Sequence, residues 1–381
     1  MNQSISMTKV LLFIILITSS IYSIEISTLF PERTENIEAA IEYTSSCLTI
    51  RNNLQKAVNT TYNNHPNKIN LLIKSSYYFI DLLFFGIGSA ITIHEIGHTN
   101  AYTYLGASSY SFGTGSNSNA TLLELYFLSA LNGGASSNYS NLTDTSNTAY
   151  SLIAGAGTNA AFTYKNKLLR QGIQKNKLTQ AEFNDYTGTQ LYTLYNLFED
   201  NDHQINNDFK HYIDSMNAQG YAISIDSLRS QYLWSTILSH QIYLKAPYRS
   251  PFTTYNIGNF MFYAPEFTPF LMPTAVTEHI ELYFKTTQLF SIAYEFPTIG
   301  NKDQTEITYG WYPTYKNLTF SFRVSLNDKN DLFVSIINNY ILNKKLTLVT
   351  KLFSGNTETY AQTRQSLTST SQLSIGLHFA P

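Results

Sequence analysis

Residues 75–98 read SSYYFIDLLFFGIGSAITIHEIGH, and the rest of the chain is best understood outward from them. Up to residue 93 the stretch is apolar, with Asp81 its one ionisable side chain. At about 19 residues it is just long enough to span a bilayer, so membrane insertion or close membrane contact is expected. It ends in His94-Glu95-Ile96-Gly97-His98. On a helix, positions i and i+4 lie on one face, so both imidazoles can address a single ion with Glu95 beside it. This HExxH spacing is the zinc-hydrolase signature, and chance yields it on the order of 0.01 times in a chain of this composition.

Composition narrows the remaining possibilities. The chain has 381 residues, a net charge of −2 and no basic stripe, which leaves nucleic-acid binding without electrostatic support. Charged residues make up 13% of the sequence against 29 Tyr and 24 Phe, a balance suited to life in or near a membrane. Cys47 is the single cysteine, so neither a disulfide framework nor a cysteine-rich zinc site is possible. Metal ligands must be His and carboxylate.

Residues 1–23 have the grammar of a secretory signal: Lys9, an apolar core over 10–17, and small residues before a cleavage point after Ser23. The mature chain is therefore expected to be exported, in a membrane or cell envelope.

Proline divides the mature chain into two parts. None occurs between Pro66 and Pro247, and eight of the ten lie from 247 onward. Residues 24–274 are expected to be mainly helical. Ile37, Ile41, Leu48 and Leu54 recur at helical spacing before a turn at 63–66. Thr179 and Glu182 form a capping box for a helix towards Phe198. Asn207 and Gly220 bracket another helix, and Asp226 caps one ending near Leu238. Residues 107–149 read as a surface excursion with one short helix or hairpin.

From 275 to 381 the periodicity changes to two. Segments at 280–284, 290–294, 306–311, 318–324, 332–336, 346–349 and 373–379 alternate, separated by turn clusters. The expected fold class is α+β, a helical region followed by an antiparallel β-meander or barrel-like sheet. His279 and His378, at the two ends of that sheet, are not expected to bind metal.

Around the motif, His94 to Gly106 and then Ser109-Tyr-Ser-Phe-Gly113 resemble the site-2-protease-like zinc metallopeptidases. Ala154-Gly155-Ala156-Gly157-Thr158-Asn159 is similar to that family's A-G-P-x-x-N segment, with Ala156 in place of the proline. Tyr195-Asn196-Leu197-Phe198, followed by Asp200 and Asp202, resembles the stretch that ends in a metal-binding aspartate, without the L-D-G form. The likeness covers about residues 75–205 and implies a membrane-associated zinc metallopeptidase acting on a protein or peptide substrate.

Catalytic zinc takes three protein ligands and keeps one position open. His94 and His98 supply two. Asp202 is the choice for the third, from its place in the resemblance, with Asp200, Asp208 and Glu124 as alternatives. Glu95 is the expected general base, and the resemblance implies Asn159 as the donor to the oxyanion. Two other classes stay open: an envelope or outer-membrane-type β-protein with a degenerate HExxH, and a zinc hydrolase for a non-peptide bond.

Overall fold

The computed structural model describes residues 37–63, 68–198, 208–239, 252, 254–316, 318–343, 346–355 and 372–379. The signal-like segment 1–23, Asp200, Asp202, His203 and Asn207 lie outside the described residues. The fold is α+β, with helices filling most of the first part and a curled antiparallel sheet, a half-barrel, following them.

Helices α1 (Ile37–Asn63) and α2 (Lys68–Ile80) lead into a π-helical turn, Asp81–Gly86, and then α3 (Ile87–Tyr104). The excursion after α3 contains both a strand pair and a short helix: β1 (Ser109–Gly113), α4 (Leu122–Leu128) and β2 (Ser136–Ser140). Then come α5 (Asn147–Lys175), α6 (Gln180–Phe198), α7 (Asp208–Ala218) and α8 (Ile225–Leu238). The Thr179–Glu182 capping box forms as expected, each side chain bonded to the other's backbone N–H. Gly220 closes α7 at φ +92°, a left-handed conformation that suits glycine. Helix α8 is capped by Ser224 rather than Asp226, because the Ser224 hydroxyl reaches the Ser227 N–H while Asp226 already lies inside the first turn.

All seven alternating segments are strands, but the sheet opens earlier than residue 275. Its strands are β3 (Thr254–Ile257), β4 (Phe260–Tyr263), β5 (Glu266–Leu271), β6 (Ala275–Lys285), β7 (Leu289–Gly300), β8 (Glu306–Tyr312), β9 (Thr314–Tyr315), β10 (Leu318–Asn327), β11 (Leu332–Asn343), β12 (Leu346–Gly355) and β13 (Gln372–Phe379). The order is β13-β12-β11-β10-β8-β7-β6-β4-β3, with β5 beside β6 and β9 beside β10. Pro269 hides β5 from a periodicity search. It is tolerated there because β5 pairs only with β6, leaving one edge without a ladder.

The apolar segment 72–104 is long enough to cross a membrane, yet most of it is enclosed by protein. Asp81, within it, is paired inside the protein. Asp81 is fully buried and takes a two-pronged ion pair from Arg51, with Nε to Oδ1 at 3.0 Å and Nη2 to Oδ2 at 2.7 Å. Arg51 also bonds Asp185 and, at 3.2 Å, the Tyr126 hydroxyl. Asn184 donates to Asp81 at 2.6 Å and Tyr164 to Asp185 at 2.6 Å. One guanidinium thus ties α1, the π turn, α4 and α6 together.

A second buried pair, Lys165 Nζ to Glu266 at 2.8 Å, joins α5 to β5, with the Tyr186 hydroxyl donating to the same carboxylate. Around this pair α5 packs apolar side chains on the sheet, Phe162 against Phe270 among them.

Replacing Arg51 by Met should leave two buried carboxylates without their cation, at a cost of about 3–5 kcal/mol near pH 7. Burial already pushes Asp185 up to about 6, against the pull of Arg51. A carboxyl whose folded pKa exceeds its unfolded value binds more protons when folded, so stability falls as pH rises through that interval. The deficit of Arg51→Met, measured by denaturant unfolding, should therefore shrink between pH 7 and pH 5. A deficit that stays constant or grows on acidification contradicts this account of the network.

Candidate metal centre

The site is built where α3 crosses α5. Gly97 lies against the Ala156 carbonyl and the Ala160 methyl, and any side chain at 97 would collide with that backbone. Gly157 faces the two imidazoles: a Cβ there would fall 2.6 Å from His98 Nε2 and 2.8 Å from His94 Cδ2. Gly97 therefore sets how closely the helices approach and Gly157 leaves room for both rings, while Gly155 faces the Leu271 backbone of β5.

His94, Glu95 and His98 are all buried. His98 Nδ1 lies 2.8 Å from the Ile153 carbonyl, which can only accept, so Nδ1 carries a proton and Nε2 is the atom turned inward. The Nε2 atoms of His94 and His98 are 3.0 Å apart. Asp208, the first residue of α7, brings its Oδ2 to 2.8 Å from His94 Nε2 and 3.1 Å from His98 Nε2. Among the described residues, these three form the group able to hold a metal ion. A tetrahedral ion with bonds of about 2.0–2.1 Å sets its ligand atoms about 3.3 Å apart, so this triangle fits within a few tenths of an ångström.

The local electrostatics suit a cation. Burial alone would raise the Asp208 carboxyl, but the two imidazoles outweigh it and hold the group well below the usual carboxylate range. Burial alone would lower His98; the charge and hydrogen bond of Asp208 more than reverse this and hold it at about 9. Burial also raises Glu95, against the pull of His94 and His98. The nearby Ser137 side chain also works against that rise.

Ser137 lies on β2, and Tyr102 donates to its carbonyl at 3.3 Å, so the β1–β2 excursion closes the site on the Glu95 side. Tyr102 stacks near His98 with centroids 6.3 Å apart, and Tyr192 of α6 stands edge-on to His94 at 5.5 Å.

Of the other residues expected at the site, Asp208, one of the alternatives for the third ligand, meets both imidazoles. Glu124 instead belongs to the N-terminal capping box of α4, where it bonds Thr121. Asn159 is paired with the backbone of Leu271, its Nδ2 donating to the carbonyl at 2.7 Å and its Oδ1 accepting from the N–H at 2.8 Å. It stitches α5 to the end of β5 just as a neighbouring strand would. His279 sits between Glu295, at 3.2 Å, and Glu281, at 3.7 Å, inside the sheet. Sequence reading gives no sign of Ser137, Tyr102 or Tyr192, since their closeness to the motif comes only from folding.

No known protein family, curated protein or solved structure matches this chain.

Gly157→Ala should lower metal affinity by roughly 10–100-fold, the cost typical of disturbing what supports a ligand. Alanine is the better helix former by about 1 kcal/mol, so α5 itself should not be weakened. Metal titration of the purified variant by calorimetry reads the affinity directly. An unchanged affinity would mean that the two imidazoles do not need the space Gly157 leaves.

Proposed function

We propose that the chain is a membrane-associated zinc metallopeptidase, exported to a membrane or cell envelope and resembling the site-2-protease-like enzymes. The observation that carries this is the convergence of His94, His98 and Asp208 with Glu95 buried beside them. Two imidazoles and one carboxylate are the donor set of a catalytic rather than a structural zinc site, because they leave a position open. Zinc held there supplies Lewis acidity, polarising a carbonyl and acidifying water.

The chain's own groups supply the proton transfers. Glu95, made more basic by burial, takes a proton from water and returns it to the leaving amine. Ser137 orients the Glu95 carboxylate, and Ile153 fixes the His98 tautomer. If Asn159 is to donate to the oxyanion, it must do so through the second hydrogen of Nδ2, since the first is held by Leu271. The signal-like residues 1–23 support the envelope location.

The test is hydrolysis of a panel of peptides and matched esters by the zinc-loaded chain and by Glu95→Gln. Wild type should cleave peptides and lose that activity to a chelator. The variant should keep its zinc and lose about 10²–10⁴ in rate, because an amide cannot accept the proton. Cleavage of esters alone would assign the site to a non-peptide bond. Wild-type turnover in Glu95→Gln would remove Glu95 from the mechanism.

A further inference from the structure

The register of β7, β8, β10 and β11 sorts their side chains onto two faces. One carries Ser291, Glu295, Glu306, Thr308, Ser325 and Ser335, all buried. On that face Arg323 of β10 approaches Glu281 of β6 at 3.5 Å, although β8 and β7 lie between them. Three strand spacings come to about 14 Å in a flat sheet, beyond the comfortable reach of that pair, so the polar face is the concave one.

The other face has the opposite character. Alternate positions over 290–296, 307–311, 320–326 and 332–336 are fourteen residues, every one Ile, Leu, Val, Phe, Tyr or Trp. Register aligns them into rows, such as Ile292, Tyr309, Val324 and Val334 across four strands. Ile292 is 43% exposed, Tyr309 55% and Trp311 38%. The uncharged Asn338 is the first break in the pattern. On β6 the outward Glu278 is not free, because Ser235 and Gln231 of α8 cover it.

A sheet in water keeps polar side chains on its outer face; here the inner face buries Leu289, Ala293, Tyr312 and Phe333 among its polar residues, and the outer face is apolar as well. From Phe290 to Phe296 the apolar band runs six steps, or about 20 Å, close to the roughly 25 Å band of membrane β-proteins. An exposed patch of this extent marks a binding surface. Charge decides what it binds: fourteen positions without an ion complement hydrocarbon. Shape decides against a second copy, since two identical convex faces touch only along a line, whereas fluid acyl chains conform to the curve.

We propose that the convex face of the sheet, centred on Ile292, Tyr309 and Trp311, is a lipid-binding surface that seats the protein against the hydrocarbon of a membrane. It stands apart from the metal chemistry, because no residue of this face belongs to the metal group.

The chain's two tryptophans make the test direct, one on this face and the other, Trp234, exposed on α8. Full-length Trp234→Phe, which leaves Trp311 as reporter, is mixed with phosphatidylcholine vesicles whose acyl chains carry bromine. Trp311 emission should shift to the blue and be quenched. Ile292→Glu with Tyr309→Glu should reduce vesicle partition by roughly tenfold or more while zinc content, which reports an intact fold, stays at the wild-type level. Trp311 emission indifferent to the vesicles overturns the proposal. So does quenching of Trp234 alone in Trp311→Phe, which would place α8 on the lipid. A Trp311 already blue-shifted without lipid, in a chain that sediments as a dimer, would assign the face to a second copy instead.

Discussion

The close crossing of α3 and α5 is the constraint on which the rest depends. Gly97 on one helix lies against the Ala156 carbonyl on the other, and Gly157 leaves space beside the two imidazoles. That contact brings the Ile153 carbonyl to His98 and leaves room for both imidazoles over Gly157. It also fixes where α5 can go next. Beyond the crossing, α5 presents Asn159, Lys165 and Asn166 to β5, and all three are bonded there. The same helix therefore shapes the metal centre at one end and anchors the sheet along the rest of its length.

Buried polar groups, set within an apolar core that runs from the helices into the sheet, help to join the two parts of the molecule. Arg51 with its two aspartates holds the helices around the π turn, and Lys165 with Glu266 holds α5 to the sheet. Such pairs contribute little net stability once desolvation is counted, but removing one partner is costly, so they favour a single arrangement over near alternatives. The inner face of the sheet meets α5 through both kinds of contact, the Lys165–Glu266 pair and an apolar cluster that includes Leu169, Ile173, Tyr283 and Tyr312.

The fold and the site differ in how much of them can be read from the sequence. The HExxH pair, the Thr179–Glu182 cap, the Gly220 stop and the seven alternating strands depend on spacings of four residues or fewer, which the chain displays directly. Asp81 is visible as the one ionisable side chain of an apolar stretch, but its partner Arg51 lies 30 residues away and no local pattern points to it. Asp208 is 110 residues from His98, and no local pattern ranks it above Asp202 or Glu124. Ser137 reaches Glu95 only because β2 folds back along β1. Alternation shows that β7 to β11 have two faces, but only the packed structure reveals that the polar one is inside.

The central claim is that His94, His98 and Asp208 hold one metal ion. X-ray absorption at the zinc edge of the purified, zinc-loaded chain tests it most directly. The account predicts one zinc per chain with two imidazoles and oxygen donors at about 2.0–2.2 Å, and loss of an oxygen ligand in Asp208→Ala. A spectrum with fewer than two imidazoles, or one left unchanged by Asp208→Ala, would contradict it.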